Sequence, residues 1–264
     1  MALITRNIKI YFAAVGLLAL WVGVWGYFIP TQVDEAIPWL VPPLHARFLG
    51  GMYLSGTAFM VAGMLSKRYD EVKTMVPMIA IWTEMLFVVS LFYLGEFDYS
   101  RPQVWIWFGA YLIYPAIALW LAWLNRNLNE AHAGTALPTW VKGYLLAQGI
   151  LVTLLALSLL FAPDLMVTIW PWKITRLLAQ MYSAPFLSYG LGSLMLSRRQ
   201  TWNEARVVLI GMVVFAIFVL LASIIHRELF SPTNASTWIW FGGFAIASAM
   251  LGFMTVRSLA DKLL

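Results

Sequence analysis

The sequence predicts an all-α integral membrane protein with eight transmembrane helices, arranged as two parallel four-helix repeats. Three observations predict it. Apolar residues are 62% of the 264 and charged residues 11%, where an ordinary soluble domain carries about 25% charge. Apolar runs near the ~20 residues that cross a bilayer as a helix recur along the whole chain. The chain is also written twice. Trp105-Ile106-Trp107-Phe108-Gly109 returns as Trp238-Ile239-Trp240-Phe241-Gly242, a shift of 133 residues. At that shift Lys9, Tyr11, Gly16, Phe28 and Pro30 fall on Lys142, Tyr144, Gly149, Phe161 and Pro163. Self-similarity at a fixed period marks a repeat architecture.

Backbone groups in hydrocarbon must be satisfied within their own segment, so runs this apolar cross as helices. A β-barrel would alternate apolar and polar residues, and these runs do not. The first span, 9–29, is too long for a cleavable signal core, and no small-residue cleavage site follows it at Phe28-Ile29-Pro30. A loop with Asp34, Glu35 and Pro42 leads to the second span, 45–66, which Arg47 opens. The basic turn Ser66-Lys67-Arg68-Tyr69-Asp70 precedes the third, 74–95, which contains Pro77 and Glu84. A polar break from Glu96 to Pro102 leads to the fourth, 103–124, with Trp105 and Trp107 at its start and Pro115 inside. Residues 1–124 form the first repeat, 125–141 a linker and 142–264 the second repeat. The remaining spans are expected at 142–162, 174–196, 205–226 and 238–257, separated by Asp164 to Lys173, Ser197-Arg198-Arg199-Gln200 and Ser231 to Ser236.

Charge sets the expected orientation. Of seventeen Lys and Arg, twelve flank the termini and the even-numbered breaks. Only Arg47, Arg101, Lys173, Arg176 and Arg227 lie on the other side. Lys and Arg are retained on the cytoplasmic side, so both termini are expected in the cytoplasm of an inner-membrane protein. Each half has an even number of spans, so the halves enter with one orientation and are related by an axis along the membrane normal. The net charge of +5 is explained by this bias and needs no nucleic acid. With no cysteine there is no disulfide, thiolate metal site or cysteine nucleophile.

One half reads as a helix ending in Phe-x-Pro, then a loop with Pro four or five residues before an Arg, then Tyr six residues after it. A shift of 129 lays Pro42, Arg47, Met52 and Tyr53 on Pro171, Arg176, Met181 and Tyr182. This pattern resembles the DoxX-like group of small four-helix bacterial membrane proteins, here duplicated and fused. The resemblance implies a fold, and membrane redox or accessory roles, far more than it implies a reaction.

Few residues offer chemistry. Glu84 lies about ten residues into the third span, so at ~1.5 Å per residue it sits roughly 15 Å deep. A charged acid there is costly unless paired, which makes it a functional hypothesis by default. Ala80, Ile81, Phe87 and Val88 occupy its i±3 and i±4 positions, so a partner must come from another span. Tyr53 is the best-placed one, with Arg47 and Gln148 behind it. Glu84 is therefore expected to be buried and to face the bundle, either as hydrogen-bonded glue or as a proton, cation or ligand contact. Its counterpart is Ile217, so its role is single.

Arg47 and Arg176 can snorkel to headgroups, or grip an anionic headgroup or carboxylate together near the axis. Tyr53 and Tyr182, six residues on, are turned roughly 240° away and face other neighbours. His45 and His226 fall at outer span ends and His132 in the linker. An interfacial hydrogen-bonded role is the plain reading, and axial ligation of a haem or chlorin by His226 the alternative. No HExxH, Gly-rich phosphate loop, GxSxG or acidic metal cluster is present, so no catalytic or metal residue is expected and the motifs name no cofactor.

Three functions fit. The first is a non-enzymatic bundle that binds lipid, quinone or pigment, or serves as an accessory subunit of a membrane complex. The second is a small proton- or cation-coupled transporter built on Glu84 and the Pro-broken spans. The third is a membrane enzyme on a lipophilic substrate, with Glu84 or His226 as base.

Overall fold

A computed structural model describes residues 3–128 and 134–261. The expected linker histidine, His132, and the terminal residues Lys262 and Leu264 lie outside the described residues. Among the described residues the regular structure is helical, with only isolated β-bridges besides. The helices are α1 (Arg6–Phe28), α2 (Pro43–Leu65), the one-turn α3 (Tyr69–Val72), α4 (Met75–Phe92) and α5 (Pro102–Leu124). The chain continues with α6 (Thr139–Phe161), the short α7 (Pro163–Ile169), α8 (Arg176–Leu196), α9 (Trp202–Ile225) and α10 (Ala235–Ala260).

Local chemistry sets these ends. Pro43, Pro102 and Pro163 stand in the first turn of their helices, where the missing N–H has no intrahelical partner to lose. Glu204 of α9 reaches back to the Thr201 N–H at 3.0 Å, closing a capping box, and Glu71 does the same for Arg68 at 3.2 Å.

Seven helices are long and apolar enough to cross a membrane, α3 and α4 counting as one continuous segment, so the protein suits a multi-pass membrane setting. The eighth expected segment falls short on hydropathy rather than length. Helix α8 has 21 residues but carries Gln180, Ser183, Ser188 and Ser193, and the three serines are buried. It lies between α6 and α4, which screen it from the surroundings, so polar side chains cost it little there. By contrast α6 and α10 turn most of their length outward, exposing Leu151, Leu154, Ile239, Ile246 and Val256.

Packing runs through antiparallel neighbours: α1 with α2, α6 with α8, α4 with α5, and α9 with α10. The remaining extensive contacts cross between the two halves of the chain, α2 against α9 and α4 against α8. Buried side chains of both halves form one continuous core. Glycine permits the closest approach. A Cβ at Gly50 would lie 2.3 Å from the Tyr27 backbone nitrogen, so α1 and α2 touch backbone to backbone there.

One end of the bundle gathers both ends of the described chain. There Leu3 bridges to Arg68, Ala136 bridges to Thr201, and Arg206 meets Glu71 at 3.7 Å. The opposite end carries Arg101 against Asp34 and Arg176 against Asp164.

Candidate functional site

A lateral cleft lies between α1, α2, α4 and α5, with α8 behind it, and holds about 610 Å³ of empty space including its mouth. Its lining is almost wholly apolar: Val15, Leu18, Phe59, Met60, Met75 and Ile79 supply most of the wall. An apolar lining with a few placed polar groups is the chemistry that lipophilic ligands meet in their pockets. The half-buried Val15, Leu18 and Tyr114 form the rim.

The polar groups are hydroxyls. Tyr53 of α2 and Tyr111 of α5 are buried and hydrogen-bonded to each other across the cleft. Thr83 and Ser188 also line it, but each donates to a backbone carbonyl, Thr83 to Ile79 at 2.7 Å and Ser188 to Met78 at 2.8 Å. Gly56 leaves the space beside them open: a Cβ there would meet only the Ala19 Cβ, at 3.7 Å.

The walls are fixed by bonds between helices. The Trp107 indole of α5 donates to Ser90 of α4 at 2.9 Å. Tyr11 of α1 donates to the Tyr114 carbonyl of α5 at 2.9 Å, with the two rings edge to face. A second hollow, about 410 Å³ of empty space including its opening, shares Tyr53 and Trp82 with the cleft and continues past them toward Trp39. The Trp39 indole nitrogen is buried without a hydrogen-bond partner among the described residues.

At the end of the bundle away from the termini, Arg47 Nη1 donates to His226 Nε2 at 2.5 Å, and His226 Nδ1 lies 3.5 Å from Glu228 Oε1. An Arg donor on Nε2 requires the imidazole to be neutral with its proton on Nδ1, facing Glu228. Burial and the Arg47 cation hold this ring below its ordinary value of 6.5, against the pull of Glu228.

The six residues singled out from the sequence do not converge. Tyr53 reaches the cleft, and Arg47 and His226 meet each other. Tyr182 is fully buried in a block of aromatic rings, bonded to His45 Nδ1 at 2.7 Å. His45, expected at an interface, is thus a buried residue. Arg176 pairs with Asp164 at 3.0 Å on an exposed surface, so the two arginines face separate protein partners rather than one shared anion. Glu84 corrects its expectation most plainly. It is exposed on the outer face of α4, has no hydrogen bond or ion pair among the described residues, and does not face the bundle. The helix turns Thr83 and Leu86 inward and leaves Glu84 on the stripe with Ile81, Val88 and Leu91.

Tyr111, Trp82, Thr83 and Gly56 escaped sequence reasoning, yet a signal existed. At the 133-residue shift they fall on Phe244, Phe215, Ala216 and Tyr189, so three polar or small groups stand where the other half has apolar or bulky ones. Among the described residues no group of three His, Asp or Glu side chains is arranged to hold a metal ion. No protein-family model, curated protein or solved structure matches this chain.

Proposed function

We propose that this protein is a non-catalytic membrane bundle whose cleft between α1, α2, α4 and α5 holds a lipid, quinone or pigment, alone or as an accessory subunit of a membrane complex. The observation that carries the reading is the cleft: an apolar, laterally placed hollow with a hydroxyl pair at its heart.

The bundle is read as two DoxX-like four-helix units, with α8 as the eighth span and both termini in the cytoplasm of an inner-membrane protein. Support comes from contacts that recur 133 residues apart. Trp107 donates to Ser90 at 2.9 Å as Trp240 does to Ser223 at 2.9 Å. Trp105 donates to the Tyr99 carbonyl as Trp238 does to that of Pro232. Ile4 and Lys67 pair as Leu137 and Gln200 do. Across the halves, Arg47 meets His226 while Gln180 meets Tyr93 at 2.5 Å. The last pair favours setting Arg47 against Gln180 in the 133-residue register over its 129-residue match with Arg176.

The transporter reading loses its centre with Glu84 on the outer face, and the enzyme reading loses a free base with His226 held between Arg47 and Glu228. The test is chemical. Protein extracted into native membrane discs, then into organic solvent, should yield one class of lipophile enriched over bulk membrane, near one per chain. Extracts that match the bulk membrane in every class would end this reading.

A further inference from the structure

The two halves differ where it matters most. Around the second-half counterpart of the cleft, Tyr189 stacks on Phe215 with ring centres 4.6 Å apart, and Phe215 meets Phe244 edge-on at 5.8 Å. Phe186 closes on the same ring at 6.0 Å. That place is filled with rings. In the first half the same positions read Gly56, Trp82, Tyr111 and Tyr53, and the place is hollow. Hydroxyls stand at Tyr53, Thr83 and Tyr111 where the second half has Phe186, Ala216 and Phe244. Packing alone does not select hydroxyls for a hollow, because a buried O–H without an acceptor is costly.

Counting protons sharpens this. Tyr53 and Tyr111 have one hydroxyl hydrogen each, and the bond between them uses one. The other has no acceptor among the described residues. The remaining cleft hydroxyls, those of Thr83, Ser188 and Tyr114, direct theirs to the Ile79, Met78 and Ala14 carbonyls. One buried O–H is therefore left over at the wall that the cleft shares with the second hollow, and buried donors are nearly always paired. Hydrocarbon cannot accept it. A carbonyl oxygen can.

Resting on the lipophile-binding reading above, we infer that the cleft selects a neutral lipophile bearing a carbonyl oxygen, held by the Tyr53–Tyr111 hydroxyl pair, and that only the first half binds it. The apolar body lies along Met60, Phe59 and Val15 and leaves through the rim at Leu18 and Tyr114, so the ligand arrives sideways from the bilayer. A ring carbonyl, as in a quinone, and an acyl ester share this chemistry.

The second half supplies conservative variants. The double variant Tyr53→Phe/Tyr111→Phe keeps the ring shapes and removes the donors. Gly56→Tyr places the plug of Tyr189 in the hollow without a backbone clash. Binding of a decyl-benzoquinone, a diacylglycerol and the oxygen-free squalane to the full chain in discs would be read by calorimetry. The wild type should bind at least one carbonyl probe about tenfold or more tighter than squalane, the scale of one buried hydrogen bond. The quinone and the glyceride then separate the two sources. The double Phe variant should lose that preference and keep weak squalane binding, while Gly56→Tyr should bind none of the three. Equal affinity of the wild type for squalane and both carbonyl probes, or a preference surviving in the double variant, would overturn the inference while leaving a lipophile cleft intact. No binding of any probe, with Gly56→Tyr indistinguishable from wild type, would instead overturn the cleft itself.

Discussion

Glu84 shows what a single residue can hide. Its depth in the third hydrophobic run is plain from the sequence, but the face it takes depends on which side of α4 meets α5 and α8. The structure turns it outward. With no partner among the described residues to lose, Glu84→Leu should leave the fold intact and raise the thermal midpoint in lipid discs, since a polar group leaves hydrocarbon. A lower midpoint would mean that a partner outside this chain holds the acid. His226 is the second residue to test. Its folded-state pKa lies below the ordinary 6.5, so the unfolded chain takes up the proton first as pH falls. The stability tied to this neutral ring is full above about pH 6.5. It declines progressively as pH drops from there toward the folded value. Thermal midpoints measured between pH 7.5 and 5.5 should therefore fall more in wild type than in His226→Gln. Parallel curves would show that the Arg47 contact tolerates an imidazolium.

At the scale of elements, the decisive contacts are backbone approaches and aromatic pegs. Gly50→Ala would drive a Cβ into the Tyr27 backbone and should destabilise by about 1–3 kcal/mol, because helices cannot move apart without disturbing their neighbours. Gly109→Ala is the control: nothing lies within 4 Å of its added Cβ, and Ala favours a helix interior by up to about 1 kcal/mol over Gly. Chemical unfolding of both variants separates packing from propensity, and equal effects would contradict the close-approach argument. Element by element, the helices were legible because apolar run length and flanking turn formers are local properties. Helix α8 was legible as a segment but not as a polar one placed centrally, since shielding by α4 and α6 is a property of the assembled bundle. The Trp-Ile-Trp strings recur in the sequence, and the same 133-residue shift sets Gly56 against Tyr189. What no local pattern encodes is which helix faces which, and so the pairing of Tyr53 with Tyr111 was out of reach.

For the whole molecule, the crossing contacts change what a half can do. Because α2 packs on α9 and α4 on α8, each half leaves large apolar faces bare without the other. Residues 1–128 expressed alone should be degraded or aggregate, whereas co-expression with 134–264 should restore a protease-resistant complex. A stable, monodisperse single half would contradict the interlocked packing. The central claim, a lipophile seated in the first-half cleft, is tested most directly by cryo-electron microscopy of the full chain in native membrane discs. The account predicts elongated non-protein density that enters between α1 and α5 and ends against the Tyr53 and Tyr111 hydroxyls. A cleft without such density, in a map that resolves ordered lipid elsewhere around the bundle, would contradict it.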